Sequence, residues 1–167
     1  MESNNSMNRR KFIGSAVATA ATITVVPRHV LGGNGYVTPS DKITVANIGC
    51  GTQGLREMPG MLQNPEIQVV AVCDVNKSTT DYLDWSSEGI RDLIRNTLND
   101  PNWGSNYTGI PGGRDIGEEF VEKFYGENQP SGKYRGCNAY EDYRELFEKE
   151  SDIDAIKIMT PDHHHAF

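Results

Sequence analysis

The sequence predicts an α/β domain built on a doubly wound parallel sheet, and three observations predict it. Short apolar runs rich in β-branched residues recur along the chain, as expected of parallel strands buried on both faces. Stretches with apolar residues at helical spacing alternate with them. The first strand and first helix are joined by a turn holding Gly49, Gly51 and Gly54.

Taken in order, Ile43, Val45, Ala46 and Ile48 form the first apolar run, and Leu55, Met58 and Leu62 mark the helix after it. Pro59-Gly60 falls inside that helical pattern and is expected to kink it or end it early. Ile67, Val69, Val70, Ala71 and Val72 form the second strand, with Asp74 at its C-terminal end. Ser78 and Asp81 resemble a capping box, which predicts a helix carrying Leu83, Ile90, Leu93, Ile94 and Leu98. Asn99 to Arg114 is rich in Gly, Pro and Asn and reads as a long irregular loop. It is either a lid holding Trp103 and Tyr107 over the site or a surface excursion or subunit contact. Asp115 with Glu118 opens another helix, carrying Phe120, Val121 and Phe124 and stopping at Gly126. Lys133 to Cys137 reads as a short strand, and Asn138 with Glu141 starts a helix bearing Tyr143, Leu146 and Phe147. Ile153, Ala155, Ile156 and Ile158 make the last buried strand, broken by Thr160-Pro161-Asp162.

The pattern from Gly49 to Gly54, with Cys50, Thr52 and Gln53 between the glycines, suits a dinucleotide's phosphates. Gly49 allows the tight bend, Gly51 lets backbone approach a pyrophosphate, and Gly54 lets helix pack on strand. The helix N-terminus adds free N–H groups and the positive end of its dipole. The acidic residue expected about 20 positions further on is Asp74. Its carboxylate can accept from both ribose hydroxyls of an adenosine and would repel a 2′-phosphate, which favours NAD over NADP. A methyltransferase also places an acid after its second strand, and these residues alone leave that reading open.

A length of 167 residues suggests one domain, preceded here by a segment of different character. In residues 1–33, Arg9, Arg10 and Lys11 precede Phe12 and a mildly apolar run from Ile13 to Val26. The run is too short and too weak for stable membrane insertion. The paired arginines resemble a twin-arginine export signal, read by the twin-arginine machinery and implying a periplasmic or otherwise exported protein. Residues 34–167 then form the dinucleotide-binding domain, with a long insertion around 78–132. A net charge of −7 argues against a nucleic-acid partner. Cys50, Cys73 and Cys137 are odd in number and without paired spacing, so no disulfide framework is expected. His163, His164 and His165 offer two readings. They hold a metal, or they lie on a strand-to-helix loop facing the cofactor. The second is favoured, because adjacent histidines point in different directions and no matching ligand cluster occurs elsewhere.

Together "VANIGCGTQG", "VVAVCDVN" and "AYEDYRELFEKESDIDAIKIMTPDHHHA" resemble the N-terminal half of the glucose–fructose oxidoreductase / inositol dehydrogenase (Gfo/Idh/MocA) family. The resemblance displaces the methyltransferase reading and implies a Rossmann-type domain. It implies that Thr160, Pro161, Asp162 and His165 border the nicotinamide side of NAD(P). Gly49, Gly51, Gly54 and Asp74 match the family's nucleotide fingerprint, and the "PRHVLGG" segment is like that of exported members. Residues 78–132 are longer than usual for the family. The chain ends before the family's Glu-Lys-Pro-type motif, whose lysine supports catalysis, and before its substrate domain. The sheet is therefore expected to be C-terminally incomplete, this chain alone to be inactive, and no catalytic acid or base is assigned. The implied parent is an exported NAD-dependent oxidoreductase acting on a sugar, cyclitol or polyol and forming a homo-oligomer. Two alternatives are a glycosidase of the same superfamily that uses NAD without net redox, and a non-catalytic dinucleotide-binding module.

Overall fold

The computed structural model describes residues 41–128 and 136–165. The expected export segment, residues 133–135 of the expected strand, and Ala166 and Phe167 lie outside the described residues. The domain is α/β, with strands β1 (Ile43–Ile48), β2 (Ile67–Cys73), β3 (Asn138–Tyr140) and β4 (Ala155–Ile158). Its helices are α1 (Thr52–Leu62), α2 (Gly89–Leu98), α3 (Arg114–Asn128) and α4 (Tyr143–Lys149). All pairings are parallel and the strand order is β3-β2-β1-β4. This is a doubly wound sheet whose order reverses between β1 and β4, where such sheets bind ligands at the carboxyl ends of their strands.

One face carries most of the core. Val45, Val69 and Val72 meet Leu55 and Met58 of α1, Ile90 and Ile94 of α2, and Phe120 and Tyr125 of α3. The other face is thinner: Ala46, Ala71 and Cys73 pack with Tyr140 and with Leu146 of α4. Strict alternation would set Val69 and Val72 on opposite faces. A register shift against β1, between Val45 and Ala46, resolves this, because Val45 pairs with Val69 and Ala46 with Ala71. At that irregularity the N–H of Val69 donates to the Tyr125 hydroxyl (2.9 Å), so α3 satisfies a buried backbone donor of β2.

Several sequence expectations are corrected. Ser78 and Asp81 cap no helix; instead Thr79 bridges Gly112, Asp81 bridges Ile110, and α2 begins only at Gly89. The local Thr79–Asp81 bonds that mimic a cap belong to this pairing, and Leu83 is 90% exposed. Helix α3 passes through Gly126 to Asn128. A short strand spans Asn138–Tyr140, and Gly136 and Cys137, the described part of the expected strand, precede it without joining it. The cap of α4 is accordingly Asp142, whose carboxylate accepts from the N–H of Arg144 (2.8 Å), and not Asn138. Helix α1 runs through Pro59 and ends three residues later at Leu62.

Strand β4 has the composition of a strand buried on both faces, but it takes the open edge expected of a sheet incomplete at its C-terminal side, with Ile156 and Ile158 exposed, at 43% and 40%. An apolar sequence predicts what a strand can bury, and not whether the described chain covers it.

Candidate functional site

The glycine turn sits at the carboxyl edge of the sheet, at the reversal point. Gly49 has φ +97°, a left-handed conformation that a side chain would strain. A Cβ there would also press on the backbone of Met159 at 2.8 Å, so the ends of β1 and β4 meet at this residue. A Cβ on Gly54 would overlap the carbonyl oxygen of Gly49, so the first turn of α1 rests directly on the bend. Gly51 is extended and begins α1, and no side chain caps it. The first N–H groups of the helix are therefore left to an anion or water.

Asp74 closes the other side of the turn. It is buried, and one carboxylate oxygen accepts from the N–H of Cys50 (2.7 Å) while the other accepts from the N–H of Asn76 (2.8 Å). A carboxylate has about four acceptor positions; the Tyr82 hydroxyl also reaches this one, and what remains is open to a ligand. Arg114 braces the same strand end, donating to the carbonyls of Asp74 (3.0 Å) and Val75 (3.1 Å) and pairing with Glu141 (2.8 Å).

One residue beneath the turn escaped the sequence reading. Asn47, fully buried in β1, donates to the carbonyl of Gly49 (2.9 Å), and its own Oδ1 has no partner among the described residues. The signal was present, since an asparagine inside an apolar strand needs a polar reason to be there. Cys50 packs against α3 at Gly117, and burial, then the nearby Asp74 charge, pushes its thiol far above the ordinary range. Burial likewise pushes the Cys73 thiol up to about 11. Cys137 is also buried and free, so all three are small core residues with little thiolate character.

Thr52 and Gln53 open α1, but their side chains are engaged. The Thr52 hydroxyl donates to the Leu83 carbonyl (2.7 Å), and Gln53 donates to Glu57 (2.9 Å). Across the reversal point Thr160 lies two residues past the end of β4, and its hydroxyl oxygen is buried without a hydrogen-bond partner among the described residues. Pro161, Asp162 and His165 lie on an exposed turn after it, with His165 Nε2 2.7 Å from the Thr160 carbonyl. The structure thus brings Gly49, Cys50, Gly51, Gly54, Asp74 and Thr160 together and leaves Pro161, Asp162 and His165 at the rim. His163 and His164 lie side by side on the same turn, ring centroids 4.2 Å apart and planes tilted 47°, and no group of three or more His, Cys, Asp or Glu among the described residues is placed to hold a metal.

The long loop does not lay Trp103 and Tyr107 over this site. Trp103 is core, 2% exposed, with its indole N–H donating to Glu119 (3.1 Å) and its ring edge-on to Tyr107 (5.8 Å). The loop's far end reaches the turn instead, where Gly113 donates to the Cys50 carbonyl (2.9 Å). What covers the turn is Tyr82, which no periodicity announced. Its ring lies over Gly51, 2.9 Å from where a Cβ would stand, and against Gly112.

Apart from the Tyr82 ring over Gly51, the turn has the features that dinucleotide phosphates need. The bend is glycine-lined, the helix start is uncapped, and a buried hydroxyl at Thr160 awaits a partner. No protein-family model matches the chain, and no curated protein matches it.

Proposed function

We propose that this domain binds NAD and serves an exported Gfo/Idh/MocA-type oxidoreductase acting on a sugar, cyclitol or polyol. One observation carries the reading: an uncapped helix start after the Gly49 bend lies at the reversal point of a β3-β2-β1-β4 sheet, with Asp74 on one side and Thr160 on the other. Bound there, the nicotinamide would supply the hydride acceptor or donor. The chain's own part is to hold and orient. The first N–H groups of α1 face the phosphates, and Asp74 offers its remaining acceptor positions to ribose hydroxyls. Thr160 offers its hydroxyl on the β4 side, with His165 tied to the same residue's carbonyl. The twin-arginine segment supports a periplasmic location for an enzyme that is exported folded, with its cofactor loaded.

The test is calorimetric titration of the intact protein with NAD and NADP, followed by assay against sugars and polyols. NAD is expected to bind more tightly, and Asp74→Ala to weaken NAD and narrow the gap. Equal or tighter NADP binding would sink the cofactor assignment and point to Lys77 as a phosphate partner. Free sugar released without accumulation of NADH would move the activity to the glycosidase reading.

A further inference from the structure

Residues 79–88 form a strap across the proposed dinucleotide cradle. At one end it is pinned by backbone bonds, Thr79 and Gly112 exchanging two (3.0 Å each) and Ile110 donating to Thr80 (2.9 Å). At the other end it runs into α2. Between them Tyr82 is wedged against Gly51 and Gly112, its hydroxyl accepting from the Asn76 amide (3.0 Å). The ring therefore extends from the second glycine of the turn to the residue two beyond Asp74. An adenosine ribose must cover that same span to join a pyrophosphate at Gly51 to the acid. A ring carbon 2.9 Å from the missing Cβ of Gly51 leaves no room for a phosphate on that backbone.

The strap is also held in a way that suits release. Its anchors over the cradle are polar: Thr52 to the Leu83 carbonyl (2.7 Å), Arg56 to Asp84, and Asn76 to Tyr82. Arg56 also lies 5.0 Å from the Trp85 ring. Yet Leu83 and Trp85 are 90% and 92% exposed, so the closed strap buries neither. The Asp84 side chain is 1% exposed, and its Oδ2 has no partner among the described residues, which is a cost of closure. Segments with little buried apolar surface, held by polar anchors, open most readily.

We propose that Tyr82 is a built-in plug that occupies the adenosine side of the cradle and must swing out, with its strap, before a dinucleotide seats. The proposal rests on the dinucleotide reading above. Its thermodynamic signature is a closed-state tax on affinity, because apparent affinity falls with the fraction of molecules that are open. Removing the ring removes the tax.

The test is NAD titration of the intact protein beside Tyr82→Ala and Asp84→Asn, with hydrogen exchange followed across residues 79–88. The second variant loosens the Arg56 anchor and leaves the ring in place. Both variants are expected to bind NAD at least about fivefold more tightly, the lower end of ordinary coupling between sites. NAD should speed exchange across the strap in the unsubstituted protein. NAD binding that is unchanged or weakened in Tyr82→Ala, or exchange that slows with NAD, would overturn the plug and make Tyr82 a wall that clamps the cofactor. No binding of NAD or NADP by any of the three proteins would instead reject the dinucleotide reading, and the plug with it.

Discussion

Asp74 is placed to do two jobs, and substitution by asparagine separates them. Before any ligand arrives, its carboxylate already ties the glycine turn to the end of β2, through Cys50 at 2.7 Å and Asn76 at 2.8 Å. Asparagine keeps one acceptor and turns the other into an amide donor facing a backbone N–H. One charge-assisted bond is lost, which costs about 1.5–3 kcal/mol. Opposed donors in a buried place press toward the upper end. For a domain of this size each kcal/mol lowers Tm by roughly 3–5 °C, so Asp74→Asn should melt about 5–15 °C lower. The assay is calorimetric or circular-dichroism melting of the ligand-free protein. Asp162→Asn is the control, because Asp162 is exposed on the turn after β4 and should shift stability by no more than about 0.5 kcal/mol. An Asp74→Asn melt within about 1 °C of the unsubstituted protein would refute the structural role, given the conversion above. Affinity lost in Asp74→Ala would then report on ribose recognition alone.

Tyr125→Phe removes the acceptor for the Val69 N–H and should cost about 1–3 kcal/mol in urea denaturation, with little change in m-value; an unchanged midpoint would mean that water replaces the hydroxyl. Cys50, Cys73 and Cys137 are buried and free, so Ellman's reagent at mildly alkaline pH should find no fast-reacting thiol in the folded domain and all three after denaturation; a fast native thiol would show a more open turn than described. Replacing Ile156 or Ile158 with lysine should reduce self-association of residues 34–167 in sedimentation velocity, because both side chains sit exposed on the edge strand; unchanged association would place the sticky surface elsewhere. Arg9→Lys combined with Arg10→Lys should retain a fused reporter in the cytoplasm, and undiminished export would reject the twin-arginine reading.

What the sequence made legible was governed by local physics. β1, β2 and α1 were readable because each is a single apolar pattern bounded by turn residues, Gly49 to Gly51 between β1 and α1 and Asn64-Pro65 between α1 and β2, and the order of elements then implied a parallel sheet reversing at the Gly49 turn. Where the sequence failed, a local pattern was outcompeted by a distant partner. Ser78 and Asp81 carry the spacing of a cap, but Thr79 finds Gly112, and pairing across so long a separation leaves no periodic trace. Trp103 sits in a stretch with loop composition, yet its ring reaches the core and its N–H finds Glu119. Tyr82 is the instructive case. Its neighbours Leu83 and Trp85 are larger or more apolar and remain in water, while the tyrosine is held over Gly51. Hydrophobicity ranks those three residues in the wrong order because space and partners made the choice. Gly51 and Gly112 leave a slot with no side chains of its own, and Asn76 supplies a donor at its end. A glycine-lined slot accepts a flat ring as readily as it accepts a phosphate backbone. The feature that pointed from the sequence to a ligand is thus also what lets the protein's own tyrosine take the ligand's place.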